Sequence, residues 1–240
     1  MILPFPIFTR LCPPFVKVRY ADHEYFEPDG DAVFLVDIGL RLASENGGAV
    51  SMDYIKYVMH YSRKYVTLFV VPDSWDYKQH IANAQHFIEL ARRLKGTDNM
   101  VPILVGHYFY HRTNEYLKLL NELSELFPTV LLGIPGNMVT ASPRPFKCVR
   151  KQSICNQYIA SVANTVRKWN IKVHVLGIGK NTLDFIVRNN IGNVVSADAD
   201  KARASDGKKP HRREYCQVFR QWLGKYEQPN PETWLAQLIQ

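Results

Sequence analysis

Val66-Thr-Leu-Phe-Val-Val71 and Val101-Pro-Ile-Leu-Val105 bracket a stretch in which Ile81, Ala84, Ile88, Ala91 and Leu94 recur every three or four residues. The two flanking runs are short, rich in Val, Ile and Leu, and apolar without alternation. That pattern marks parallel strands buried on both faces. The stretch between them has the 3.6-residue period of a helix with one apolar face. Two parallel strands joined through a helix make a right-handed crossover, and this unit decides the fold class.

The same unit recurs along the chain. Further apolar runs are Val33-Phe-Leu-Val36, Thr129-Val-Leu-Leu-Gly-Ile134, Val173-His-Val-Leu176 and Asn193-Val-Val195. Helical faces follow at Tyr116, Leu119, Leu120, Leu123 and Leu126, and at Ile154, Tyr158, Val162, Val166 and Trp169. The pattern fits a doubly wound sheet or a closed barrel, and we expect an α/β fold of the (β/α)8 barrel type. With the N-terminal segment the count reaches seven strands. An eighth would have to come from the polar tract after Ser205, where no clear strand is legible. The expected organisation is one compact barrel domain over residues 1–240, with a basic C-terminal segment from about residue 200. Lys201–Pro210, with Gly207 and Pro210 among its charges, reads as an exposed loop.

Bulk properties narrow the function classes. Of 240 residues, 46% are hydrophobic, enough for a full core. No run approaches the roughly 18 apolar residues of a membrane span. The segment Met1–Arg10 has no basic start and carries Pro4 and Pro6, unlike a signal peptide. It reads as an early strand or a lead-in loop. Cys12, Cys148, Cys155 and Cys216 are scattered at no usual zinc spacing, so we expect incidental thiols in a reducing compartment and a cytoplasmic protein. The net charge is +8, and its distribution is uneven. Residues 1–120 balance 13 Lys and Arg against 13 Asp and Glu, whereas residues 121–240 hold 17 against 9. Lys201, Arg203, Lys208, Lys209, Arg212 and Arg213 concentrate that excess. A one-sided basic surface attracts a polyanion, most often a nucleic acid. A solvated, solubilising face is the alternative.

Catalytic groups in parallel α/β folds sit at the carboxyl ends of strands. Here an aspartate stands there three times, in Phe34-Leu-Val-Asp37, in Phe69-Val-Val-Pro-Asp73 and in Val194-Val-Ser-Ala-Asp198. A single one could simply cap the next helix. Three facing a common mouth argue for chemistry. Gly106-His107-Tyr-Phe-Tyr-His111 adds aromatics and histidines, with Tyr108 or Phe109 available to stack on a base. Gly133, Gly136, Gly177 and Gly179 offer close approach of a flat ligand to the backbone. His174, inside a strand, reads as a satisfied core residue.

Leu35-Val-Asp37-Ile-Gly39, Met52-Asp-Tyr54-Ile and Val71-Pro-Asp73, followed by His174-Val-Leu-Gly177-Ile-Gly179 and Ser196-Ala-Asp198, form an ordered set over residues 30–205. This set resembles the tRNA-guanine transglycosylase superfamily, and is closest to the branch that places 7-deazaguanines in DNA (DpdA type). The resemblance implies Asp198 as nucleophile and Asp37 as general acid/base. It makes Asp73 a reader of the guanine-like base, with Gly133, Ile134, Gly106 and Gly177 lining its pocket. Three departures stand out. Ile38 replaces the family's Ser, Leu40 replaces the second glycine of the tRNA enzymes, and only His211 and Cys216 follow Asp198 as zinc-type ligands. We therefore expect no zinc insertion, no metal and no extra RNA-binding domain. Those absences suit a minimal phage- or virus-type DNA-modifying member.

The implied reaction is base exchange at C1′ through a covalent glycosyl-aspartate, with a 7-deazaguanine as incoming base. It requires no cofactor. DNA is favoured over tRNA as the polymer, no membrane is involved, and partner proteins could provide access to the duplex. A nucleoside hydrolase or DNA glycosylase on the same scaffold is one alternative. A non-catalytic nucleic-acid-binding barrel is another. Asp200 is the rival nucleophile, two residues beyond Asp198.

Overall fold

The computed structural model describes residues 1–22, 25–28, 30–38, 51–74, 76–136, 138–141, 144–147, 152–199 and 212–239. Eight parallel strands close into a barrel. They are β1 (Ile7–Arg10), β2 (Phe15–Arg19), β3 (Val33–Asp37), β4 (Thr67–Val70), β5 (Met100–Val105), β6 (Leu131–Pro135), β9 (Lys172–Leu176) and β10 (Val194–Asp198). An antiparallel hairpin, β7 (Met138–Ala141) with β8 (Arg144–Lys147), is inserted after β6. Helices α1 (Met52–Ser62), α2 (Tyr77–Ala91), α3 (Thr113–Ser124), α4 (Gln152–Arg167) and α5 (Lys180–Arg188) alternate with the strands. Two more, α6 (Arg212–Leu223) and α7 (Pro231–Ile239), follow β10. Among these described helices none is long and apolar enough to cross a membrane.

The eighth strand comes from the amino end of the chain, not from the tract after Ser205, which corrects the sequence expectation. Both Ile7–Arg10 and Phe15–Arg19 are barrel strands, and β1 closes the barrel on β10 through Ile7↔Ala197 and Phe8↔Asp198. Parallel neighbours normally need a crossover of a dozen residues or more. Here Leu11–Pro14 alone joins β1 to β2, with Leu11 turned into the left-handed region at φ 53°. So short a link reads in sequence as one lead-in segment, which hides two strands.

Side chains alternate across the barrel wall, as the period of a strand requires. Phe8, Phe15, Val33, Leu35, Leu68, Val101, Ile103 and Leu131 point inward and form one apolar cluster. Trp234 and Leu238 of α7 join that cluster. Trp234 packs edge-on against Phe8 and Phe15, and its Nε1 donates to the Val195 carbonyl at 2.7 Å. The outward set, including Ile7, Val16, Phe34, Phe69, Leu132 and Val175, packs under the surrounding helices against residues such as Tyr54, Phe87, Tyr116 and Ile159. The inward apolar layer fills the barrel from below and leaves its carboxyl end to polar side chains.

The cysteines also depart from expectation. Cys12, in the β1–β2 link, is disulfide-bonded to Cys216 of α6, and no described cysteine is free. The partners lie 204 residues apart in sequence, so no local spacing could announce them. This pairing replaces the expected incidental thiols and removes the ground on which a reducing, cytoplasmic setting was inferred.

Candidate active site

The alternation that turns Phe15 into the barrel turns Lys17 inward one step higher, among apolar neighbours. Its ammonium is almost fully buried and lies 2.9 Å from Asp37 Oδ2 and 2.7 Å from Asp198 Oδ2. Asp37 ends β3 and Asp198 ends β10, so three strands converge on one cation. Two oxygens sharing an ammonium at these distances are less than about 6 Å apart. The sequence placed both aspartates at the mouth, and the structure brings them together. It also inserts between them a lysine that the sequence reading missed.

Asp198 is the more tightly held of the two. Its Oδ1 accepts from the Gly177 backbone N–H at 2.9 Å and lies 3.2 Å from His174 Nε2. An ionised carboxylate only accepts, so that imidazole nitrogen carries a proton and donates it. His174 Nδ1 lies 2.8 Å from Ser196 Oγ, which fixes the ring at both ends. Burial pushes the Asp198 carboxyl up, but the Lys17 ammonium and then His174 outweigh it and hold it well below the usual carboxylate range. Asp198 is 1% exposed, whereas the Asp37 side chain is 20% exposed. His174 was expected to be a satisfied core residue. It is satisfied and buried, and its partner is the candidate nucleophile.

Asp73 forms a second polar cluster at the ends of β4 and β5. Its Oδ2 lies 2.8 Å from His107 Nε2, with both residues buried. Behind His107 sits His80 of α2, ring to ring at 5.8 Å. Burial, reinforced by His107, pushes His80 down to about 3, so it is uncharged at neutral pH. Tyr54 packs against the ends of β3 and β4. Its hydroxyl donates to the Val70 carbonyl at 2.6 Å. Burial and then the charges of Asp37 and Asp73 raise its pKa well above the usual value, because a phenolate there would be desolvated and repelled by both carboxylates. Asp76 is different: its side chain caps α2 by accepting from the Gln79 N–H.

The glycines divide. Gly177, at φ +67°, bends the chain so that its N–H reaches Asp198, and a Cβ there would meet nothing within 4 Å. Gly133 and Ile134 lie within β6, where Gly133 accepts from the Gly106 N–H at 2.7 Å and Ile134 packs outward in the core. A Cβ on Gly133 would stand 2.8 Å from Ile103 Cγ2 and 3.0 Å from Leu176 Cδ1. Gly133→Ala is therefore expected to cost about 1–3 kcal/mol by overpacking, measured as a lowered urea midpoint at unchanged slope. Phe109 is fully buried in the core and takes no part in stacking on a ligand, and the Tyr108 ring packs on Tyr77. Burial removes Phe109 as a stacking platform, whereas Tyr108 stays partly exposed.

Lys201, Arg203, Lys208, Lys209, Asp200 and the residues after Ile38 in the Asp37 motif lie outside the described residues. So do the side chains of Arg212 and Arg213, whose backbone opens α6. Among the described residues no group of three or more His, Cys, Asp and Glu is arranged to hold a metal ion. The missed lysine had a legible signal. In Phe15-Val-Lys17-Val-Arg19 the charged residues share the phase of Phe15, so they share its inward face. Comparison with protein-family models, curated proteins and solved structures finds no match to this chain.

Proposed function

We propose that this chain is a base-exchange glycosyltransferase that replaces guanine in a nucleic acid, with DNA the favoured polymer, by a 7-deazaguanine. The observation that carries the reading is the pair of carboxylates, Asp37 and Asp198, on one ammonium at the carboxyl mouth of an α/β barrel. The shared ammonium keeps them within about 6 Å, a limit that admits the roughly 5–5.5 Å of retaining glycosyl transfer, where one carboxylate attacks C1′ and the other moves a proton. Asp198, held ionised, is the nucleophile. Its Oδ2 is covered by Lys17 in the free protein, so binding must draw the ammonium aside before C1′ can approach. Attack forms the Asp198–C1′ bond as the C1′–N9 bond to guanine breaks, and the departing base takes a proton that Asp37 has received from the Lys17 ammonium. In the second half Asp37 takes a proton from the incoming base, whose nitrogen displaces Asp198 with net retention. Asp73, oriented by His107, receives N–H donors of the base.

The test is incubation of the protein with DNA and labelled guanine or 7-deazaguanine. Label entering the polymer supports exchange. Abasic sites without label would move the assignment to a hydrolase or glycosylase. Neither product, from a folded protein with either single- or double-stranded substrate, would overturn the enzymatic reading.

A further inference from the structure

The inner face of β1 and β2 carries two arginines beside the lysine that holds the carboxylate pair. Phe8 and Phe15 belong to the inward apolar cluster, whereas Ile7, Val16 and Val18 belong to the outward one. Two residues beyond each phenylalanine, Arg10 and Lys17 therefore face inward, and Arg19 follows Lys17 on the same side. Register places Arg10 beside Lys17 across β1–β2, and Arg19 beside Asp37 across β2–β3. The two arginines stand one diagonal step apart, within joint reach of long side chains. Both are half-buried at the mouth. Together with Lys17 they place three cations around the two carboxylates on the described part of this rim.

We propose that Arg10 and Arg19 form a phosphate-binding site on the inner rim of the barrel, so that the substrate is a phosphorylated nucleoside unit and not a free nucleoside. The inference rests on the proposed glycosyl-transfer reading for what the neighbouring carboxylates do. A sugar whose C1′ meets Asp198 carries its phosphate a short way along the same face, where these strands end. Each guanidinium has five donors in a planar fork, so one already engaged within the protein still presents others to phosphate. Half-burial strengthens such charge-assisted bonds relative to open solvent. The phosphate could belong to a mononucleotide or to a nucleic-acid backbone, and the chemistry of recognition is the same.

Equilibrium binding without an incoming base tests this independently of turnover. Calorimetry compares guanosine, guanosine 5′-monophosphate, a guanine-containing oligonucleotide and inorganic phosphate. The monophosphate is expected to bind at least tenfold more tightly than guanosine, and inorganic phosphate to compete with it. Arg10→Gln with Arg19→Gln should bring the monophosphate down to the level of guanosine and leave guanosine unchanged. For the oligonucleotide, the slope of log K against log salt should fall by about one unit per lost contact. Arg19→Lys, which keeps the charge and disturbs folding least, should keep the slope and lose part of the affinity. Equal binding of guanosine and its monophosphate to the wild-type protein would overturn the site, as would a double variant that keeps the preference. An oligonucleotide tighter than the monophosphate assigns the backbone source, and the reverse assigns the free nucleotide. If phosphate binding depends on the arginines but no base exchange occurs, the site stands and the transfer reading falls. If exchange occurs and the variants bind as wild type, the opposite holds.

Discussion

Asp198→Asn is expected to leave no enzyme–DNA adduct under denaturing conditions, whereas Asp37→Asn still forms one, more slowly. Asparagine keeps the planar shape of each side chain but neither attacks C1′ nor carries a titratable proton. Without a nucleophile the first half-reaction has no covalent product, and exchange falls to background. Without the acid/base both half-reactions slow, by about 10² to 10⁴-fold for a general acid–base group. A substrate whose leaving group departs easily bypasses the first of these losses, so adduct accumulates in Asp37→Asn. The check is mass spectrometry of the trapped peptide. An adduct on Asp37 would exchange the two roles, which its greater exposure makes the nearest rival assignment. An adduct on Asp200 would move the nucleophile by two residues. An adduct persisting in a variant lacking Asp198 and Asp200 would remove β10 from the chemistry.

Lys17→Met is expected to destabilise the fold by about 3–5 kcal/mol, the cost of breaking a buried ion pair from one side. Methionine fills much of the lysine's volume, so the loss comes from charge and not from a cavity. Asp198 would keep His174 and Gly177 as donors but lose the cation that does most to offset its burial. The dependence on pH follows from sign. In the wild-type protein the folded carboxyl titrates below the unfolded one. The stability it contributes is therefore complete above the ordinary aspartate value, about 3.9, and is lost as pH falls through the folded value. In Lys17→Met the folded value rises, and acid unfolding should begin at a higher pH than in wild type. Adding Asp198→Asn to Lys17→Met should restore part of the stability, because the stranded charge is then gone. Urea titrations at neutral pH and acid titrations followed by circular dichroism read both effects. A Lys17→Met protein as stable as wild type at both extremes would show that this ammonium holds nothing together.

Much of the barrel was legible because its signals are local. The apolar runs at β3 to β6, β9 and β10 and the helical faces between them each announce themselves within a dozen residues. Asp37, Asp73 and Asp198 were legible for a related reason: an aspartate after a buried strand falls at the mouth by geometry alone. What escaped depended on long-range placement. Phe15–Arg19 carries Lys17 and Arg19 among its valines, so it lacks the unbroken apolar run used to find the other strands. Those charges are tolerated inside the barrel because carboxylates from β3 and β10 reach Lys17, and no sequence window holds all three. His174 is the satisfied core residue the sequence suggested, but its partner Asp198 lies 24 residues away and could not be read from the local pattern. The disulfide spans nearly the whole chain.

The seam of the barrel sets the order in which a growing chain can complete it. β1 has one of its two neighbours, β2, almost at once, but its other neighbour is β10, built from residues Val194–Asp198. During synthesis Ile7 and Phe8 must therefore wait, with one edge unpaired, until Val194–Asp198 has left the ribosome. Closing a loop of that length costs on the order of 5 kcal/mol in chain entropy, and contacts so distant in sequence make folding slow. Met1 and Leu3 likewise bind Lys225 and Glu227, in the stretch between α6 and α7. β1 is thus made well before the strand that secures its second edge. In the interval the nascent chain presents a bare strand edge, the kind of surface that aggregates or recruits a chaperone.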